Sequence, residues 1–357
     1  MAFTETEIAK FRGLIEELFW SQRRPSLHVR QQTRQFQFLL ISGKLLRSFA
    51  LAVLVLRADQ SPANDPAVEV FRLPALRIAA QPARAHTQGL ELADGKYYVT
   101  ARRDDVRPNR ALLLRPDSNG TGWDVWDITP MGTPGDAATL DHPGGMQSDG
   151  TRLWIPLAES KRNGRSLIRA FRLKDIEAGR PLKSDFEFPV SDHIGAVAVS
   201  VKRQMLLGAN WDTEKVYAWD FEGHLQWTLA GAELKACGLG IVAGDGGRAG
   251  VTVQDWKFLG DRLFASGLFR SLGPVSVPPA SRLCCFERFL DRDFRRGTIV
   301  LPRHEGTELA NEGMAISDGW VYFLPEDLNE SNRLFRLSAA DLTREGETRR
   351  PRPSPDH

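Results

Sequence analysis

Apolar and polar residues alternate along this chain in short runs, and the runs return at a nearly fixed spacing. HTQGLEL from His86, HPGGMQS from His142, HIGAVAV from His193, TVQDWKF from Thr252 and ANEGMAI from Ala310 each open a stretch of strand-like period. Their starts lie 56, 51, 59 and 58 residues apart. Twelve positions after each start stands a large apolar residue: Tyr98, Trp154, Met205, Phe264 and Tyr322. Hairpin signals separate the two landmarks at Asp94-Gly95, Asp149-Gly150, Gly260-Asp261 and Asp318-Gly319, with the weaker Val201-Lys202 in the third unit. A further strand begins 23–30 residues after each start, at Ala111, Leu167, Val216, Arg282 and Arg333. Strand-built repeats of this length predict an all-β fold, a β-propeller of five blades. Six blades is the alternative, because Val68–Ile78 and 227–250 hold strand-like residues outside the phase. The stretch VEVFRLPAL is expected to complete the last blade and close the ring, since an open ring would leave unpaired edges.

The pattern changes at both ends. Residues 1–44 read as a helical segment: Thr4 and Glu7 form a capping box, and Ile8, Phe11, Leu14, Ile15, Leu18 and Phe19 share one helical face. Residues 45–65 are a hydrophobic stretch and a linker. Lys44 and Arg47 precede the apolar run Ser48 to Leu56, which is short for a membrane span and is arranged like a secretory signal. This predicts a periplasmic or secreted protein whose translation starts downstream of Met1, with a cytoplasmic chain as the alternative. The propeller is assigned to 66–340, and the charged, proline-rich 341–357 to a disordered tail.

Composition narrows the function by exclusion. The net charge of +2, from 47 basic and 45 acidic residues, gives no electrostatic case for a nucleic-acid partner. No stretch supplies an integral membrane span, and a monomer acting on a small-molecule ligand is expected. The three cysteines, Cys237, Cys284 and Cys285, form no CxxC and imply no disulfide framework. Trp-Asp pairs begin at 123, 126, 211 and 219 but do not recur in phase, so they do not mark a WD repeat.

Candidate chemistry comes from the repeat phase. Innermost propeller strands converge on the axis, so His86, His142 and His193 are expected at one mouth. Gln88, Asp192, Gln254, Asp255, Trp256, Asn311 and Glu312 lie beside the repeat starts. His86, His142, His193, Asp255 and Glu312 are candidate ligands of a divalent metal, zinc by their imidazoles or calcium by their oxygens. Such a metal could activate water against an ester or lactone. Without metal, His193 beside Asp192 or Glu312 could serve as general base. Gln88, Gln254, Asn311 and Trp256 are candidate ligand contacts. The competing reading makes the histidines structural ties between blades. Asp104-Asp105 and Glu326-Asp327 read as solvated loop charges.

HTQGLEL (86–92), HPGGMQSDGTRLWIPLAE (142–159), DHIGAVAVS (192–200), VQDWKFLGDRLFASG (253–267) and YFLPED (322–327) together resemble an uncharacterised bacterial propeller family. The resemblance implies the fold and carries no activity. In architecture the chain is distantly similar to gluconolactonase and calcium-dependent phosphotriesterase propellers, and HTQGLEL is similar to the first blade of plant-type glutaminyl cyclotransferases. Residues 1–38 resemble the start of a separate small bacterial domain of unknown function, through the stretch FTETEIAKFRGLIEELFWSQRRPSLHVRQQ. Together these readings imply a small-molecule hydrolase or lyase of lactonase-like type at the central mouth, with a non-catalytic ligand- or protein-binding propeller as the alternative.

Overall fold

The structure, a computed structural model, describes residues 67–130, 139–244, 247–272, 278–340 and 342. The helical segment 1–44, the signal-like stretch 45–65 and all of the tail except Leu342 lie outside these residues. Five antiparallel sheets follow one another in chain order. Blade 1 holds His86–Ala93, Lys96–Arg103, Arg110–Pro116 and Trp123–Asp127. In blade 2 the innermost strand is split into His142–Pro143 and Gln147–Ser148, ahead of Arg152–Ala158, Ser166–Arg172 and Phe186–Val190. Ile194–Ser200, Met205–Asn210, Lys215–Asp220 and Leu225–Ala230 form blade 3. Blade 4 is built from Gly247–Leu259, Arg262–Leu272, Ala280–Arg288 and Asp293–Val300, with Val242–Gly244 added beside the first of these. Blade 5 takes Gly313–Ser317, Trp320–Leu324 and Asn332–Ser338 from the end of the chain, and its outer strand, Val68–Leu73, from the beginning.

That last pairing, Val68 opposite Leu337 through Leu73 opposite Asn332, closes the ring with the two ends of the propeller. It satisfies the edge that an open fifth blade would expose. The residues around 227 that lay outside the phase form the outer strand of blade 3 and then a short helix, Ala232–Cys237. The blade number is therefore five.

The hairpin turns explain the repeat. Asp94 and Gly95 both have positive φ, 50° and 68°, as do Asp318 and Gly319 at 51° and 79°. That is the geometry a two-residue turn needs to match the twist of its strands. Period-two side chains then face alternate blade interfaces. In blade 1, Tyr98 and Leu113 pack toward blade 2, while Val99 and Leu112 pack toward blade 5. Each of the five interfaces holds one apolar cluster. The landmarks twelve residues from each start lie on the second strands of their blades; Trp154, fully buried, joins blades 2 and 3. A fully buried large side chain contributes roughly 1.5–3 kcal/mol, so stability resides between blades as much as within them.

Candidate functional site at the propeller mouth

The innermost strands bulge at a common point. Register slips between Thr87 and Gly89, between Ile194 and Ala196, and between Val253 and Asp255. Blade 2 breaks its strand at Gly144, and blade 5 begins its strand just after Glu312. Two residues past each repeat start therefore sits Gln88, Gly144, Gly195, Gln254 or Glu312. Bulges re-aim side chains, here toward the axis and its solvent-facing end.

One residue deeper, the ring is Gly89, Gly145, Ala196, Asp255 and Gly313. Four of these are small, and a side chain on the glycines would meet Asp255 or the neighbouring blades. A Cβ on Gly145 would stand 2.6 Å from Asp255 Oδ1, and one on Gly313 would stand 2.6 Å from the Leu90 nitrogen. Asp255 is fully buried. Its Oδ2 accepts from the backbone N–H of Leu90 at 3.2 Å and of Met314 at 3.0 Å, tying blade 4 to blades 1 and 5. Its Oδ1 accepts from the Trp256 N–H at 2.8 Å and from Lys257 Nζ at 2.6 Å. Lys257 also donates to the Met146 carbonyl of blade 2 at 2.7 Å, and stands 3.8 Å from Glu91 of blade 1. Gln147 completes the knot: its Oε1 accepts from Val199 and Phe258 N–H, each at 2.8 Å, and its Nε2 donates to the Phe258 carbonyl. All five blades meet in this network, which plugs the axis below the mouth. Burial raises the Glu91 carboxyl to about 8, and raises Asp255 to about 6 against the pull of Lys257. Of the two acids in the plug, Glu91 is the one that burial favours in its neutral form more strongly.

Above the plug the three histidines have three different settings. His86 Nδ1 lies 2.6 Å from Asp327 Oδ1, a contact in which the ring nitrogen donates to the carboxylate. The loop carrying Asp327 is pinned by paired backbone bonds between Ala85 and Leu328, each 2.9 Å, and by Thr87 Oγ1 donating to the Glu326 carbonyl. His86 Nε2 is thereby presented 3.9 Å from Glu312 Oε1. His142 Nδ1 lies 3.4 Å from Arg102 Nη1. Guanidinium cannot accept, so this imidazole nitrogen is the acceptor and its Nε2 carries the hydrogen. His193 is buried, and its Nδ1 donates to the Glu159 carbonyl at 2.7 Å. Its ring packs edge-on against Trp211 and His142, with centroids 4.7 and 5.1 Å away.

The electrostatics separate acid from base. Burial, reinforced by nearby Asp327, holds Glu312 well above the usual carboxylate range, with Arg270 opposing. Burial also depresses His142 well below the usual imidazole value, helped by His193 and Arg102. For Asp327 burial works upward, but the hydrogen bonds from His86 and Arg84 prevail and keep it low. The mouth thus sets a carboxylate-oriented imidazole beside a carboxyl whose proton burial holds well above the usual range. Environments that push titrating neighbours apart in this way suit proton transfer.

The predicted site residues divide. His86, Glu312 and Asn311 come together, with Asn311 Nδ2 donating to Glu312 Oε1 at 3.1 Å. Gln88 and Gln254 occupy the bulges. The other expectations need correction. Asp255 belongs to the plug, its oxygens engaged by four donors. Asp192 does not serve His193 as a catalytic partner: its Oδ1 takes the His193 backbone N–H, and its Oδ2 takes Asn210 and Tyr217, at 2.8, 3.0 and 2.7 Å. His193 itself is a strut between blades. Trp256 is fully buried in the apolar cluster between blades 3 and 4 and contacts no mouth. The five-residue metal set does not fit: among the described residues no three His, Cys, Asp or Glu groups converge to hold an ion. The lone pairs face different partners, and His142 Nε2 carries a hydrogen.

Asp327, Arg102 and Arg270 lie outside the expected set. They fall 17, 16 and 18 residues after their repeat starts, where the antiparallel second strand returns beside the beginning of the first. The register sets Arg102 directly opposite His86. The same phase that located the histidines locates this outer ring.

Solved structures resemble the chain at low similarity. A structural genomics protein of unknown function from Bacteroides thetaiotaomicron is 12% identical, with 76% of each chain covered and a TM-score of 0.38. The GH43 endo-arabinanase from Bacillus licheniformis is 11% identical over 74% of this chain and 96% of its own, with a TM-score of 0.45. Such likeness assigns no activity. No curated protein matches. Among the described residues no helix is long and apolar enough to cross a membrane. Residues 85–242, spanning blades 1 to 3 and the helix that follows, match the model of a family of unknown function (DUF6454).

Proposed function

We propose that the protein is a small-molecule hydrolase or lyase of lactonase-like type, working by acid–base chemistry at the propeller mouth. The observation that carries this reading is the Asp327–His86–Glu312 constellation: an imidazole fixed through Nδ1, its Nε2 3.9 Å from a buried carboxyl whose hold on its proton is raised by burial. A gap of 3.9 Å exceeds a hydrogen bond, yet one oxygen atom can sit about 2.8 Å from both groups. In hydrolysis, His86 Nε2 takes a proton from water as the water oxygen bonds to the acyl carbon. Asp327 steadies the resulting imidazolium. The acyl–oxygen bond then breaks, and Glu312 donates its proton to the departing oxygen. Return of the proton from His86 to Glu312 restores both groups. In a lyase the same pair removes a proton from carbon and protonates the leaving oxygen. Neither course routes a step through a metal.

Lactone and aryl ester hydrolysis by purified protein tests the reading. His86→Gln and Glu312→Gln should each lower kcat/KM by about 10²–10⁴-fold, the usual worth of a positioned acid or base, without loss of melting temperature. Activity should fall on the alkaline side as Glu312 gives up its proton. Turnover no greater than that of the double variant, across simple lactones and esters, sinks the proposal. Stoichiometric zinc or calcium in the native protein would reinstate a metal-assisted course. We further propose export to the periplasm or outside the cell, supported by the signal-like run ending at Leu56. N-terminal sequencing of the native protein tests this, and a cytoplasmic chain beginning at Met1 refutes it.

A further inference from the structure

We propose that the mouth binds a neutral, polyhydroxylated small molecule, held by the side-chain amides of Gln88 and Gln254 and by the Nε2–H of His142. The inference rests on the mouth being the working site, though not on its being catalytic. Its basis is which polar groups are left over. Neither glutamine amide has a hydrogen-bond partner among the described residues, and neither is sealed from solvent. Both stand on bulges of innermost strands, Gln88 nearly buried and Gln254 partly exposed. His142 Nδ1 is engaged by Arg102, while its Nε2 is likewise unpartnered among the described residues and unsealed. An amide offers both donor and acceptor, and imidazole N–H offers a donor. Neighbouring hydroxyls, each able to donate and accept, match that set.

Most formal charges around the mouth are already paired, with Arg270 sharing Asp212 at 3.8 Å and Arg102 Nε buried without a hydrogen-bond partner. Arg84 pairs with Asp327 at 2.6 Å, Arg103 with Asp105 at 2.8 Å and Arg162 with Asp212 at 2.5 Å. Arg102 faces Asp104 at 3.7 Å, and Ser160, itself bonded to Asp141, holds its Nη1 at 3.0 Å. A ligand carrying a carboxylate or an ammonium would have to displace one of these pairs, whereas a hydroxylated neutral ligand displaces only water. Trp211, partly exposed beside His193, adds an apolar wall of the kind small-molecule sites use to orient a ring.

Ligand-observed NMR of the full chain against neutral pentoses, hexoses and inositols, followed by calorimetry, supplies the test. Glucuronate and glucosamine serve as charged counterparts of glucose. At least one neutral polyol should bind, and the charged members of its series should bind at least about tenfold more weakly. Gln88→Leu and Gln254→Leu should each weaken the neutral ligand by about tenfold, the loss of one or two hydrogen bonds, with the melting temperature unchanged. Tighter binding of a charged counterpart overturns the inference. So does binding that survives both substitutions, or absence of binding by every neutral polyol. Hydrolysis of simple lactones without polyol binding would leave the acid–base reading standing and remove this one. Polyol binding without turnover would do the reverse.

Discussion

Asp255→Asn removes one charge from the centre of the ring and changes almost no volume. The amide keeps one accepting oxygen where the carboxylate had two. If that oxygen faces Leu90 and Met314, the new NH2 points at the Trp256 N–H and the Lys257 ammonium. If it faces the other way, the ties to blades 1 and 5 are lost. Either way two of four buried donors lose their acceptor, at about 1–3 kcal/mol each. In both orientations Lys257 loses its direct countercharge, and breaking a buried ion pair by removing one partner costs about 3–5 kcal/mol. These overlap, because Lys257 is one of the donors. Glu91, 3.8 Å from Nζ, can also ionise and restore part of the balance. The expected loss is therefore about 4–6 kcal/mol, a large share of the roughly 5–15 kcal/mol typical of a folded protein. Urea denaturation at pH 7 measures it. At about 2–4 °C per kcal/mol the melting temperature should fall by about 10–20 °C. Adding Lys257→Met should recover part of the loss, because removing both partners costs less than removing one. A loss under about 1.5 kcal/mol, or a double variant whose destabilisation equals the sum of the singles, would refute the axial role of Asp255.

Glu91 holds its proton in the folded protein up to about 8, against 4.5 when unperturbed. Its contribution is full below 4.5 and is lost as pH rises through 8, so wild type should lose stability relative to Glu91→Gln across that window, by at most about 1.4 kcal/mol per pH unit; parallel curves would contradict the burial of a neutral carboxyl. Gly145→Ala forces a methyl against Asp255 Oδ1 and should cost about 1–3 kcal/mol by overpacking, which chemical denaturation reads directly. Nitrogen-15 NMR of the imidazoles should show His142 neutral and protonated on Nε2, with that preference lost in Arg102→Met; an Nδ1-protonated ring in wild type would remove Arg102 as its positioning residue.

The fold was legible because a propeller writes itself as spacing. The hairpin turns at Asp94-Gly95 and Asp318-Gly319 and the apolar landmarks twelve residues from each start are local consequences of strand period and turn chemistry. A local pattern can show them, and even the closing strand at Val68 followed from the need to cover an edge. The site was half legible, for a reason lying in the direction of side chains. Repeat phase says which residues reach the axis, but neighbours along the axis face different depths. Glu312 and Asp255 are two and three residues past their starts. That single step separates a carboxyl at the mouth from one locked among backbone donors in the plug. Nor can phase assign a histidine its role, because the partner comes from another blade. His86 meets Asp327, 241 residues away in sequence; His193 meets only a carbonyl. Three residues of one type at one position therefore become a carboxylate-oriented imidazole, a neutral donor and a strut. The asymmetry of the ring sets its residues apart: five blades share a backbone plan, and the differences among their second and third positions place Gln88, Gln254 and the buried Glu312 at the mouth while Asp255 and Lys257 hold the blades together beneath them.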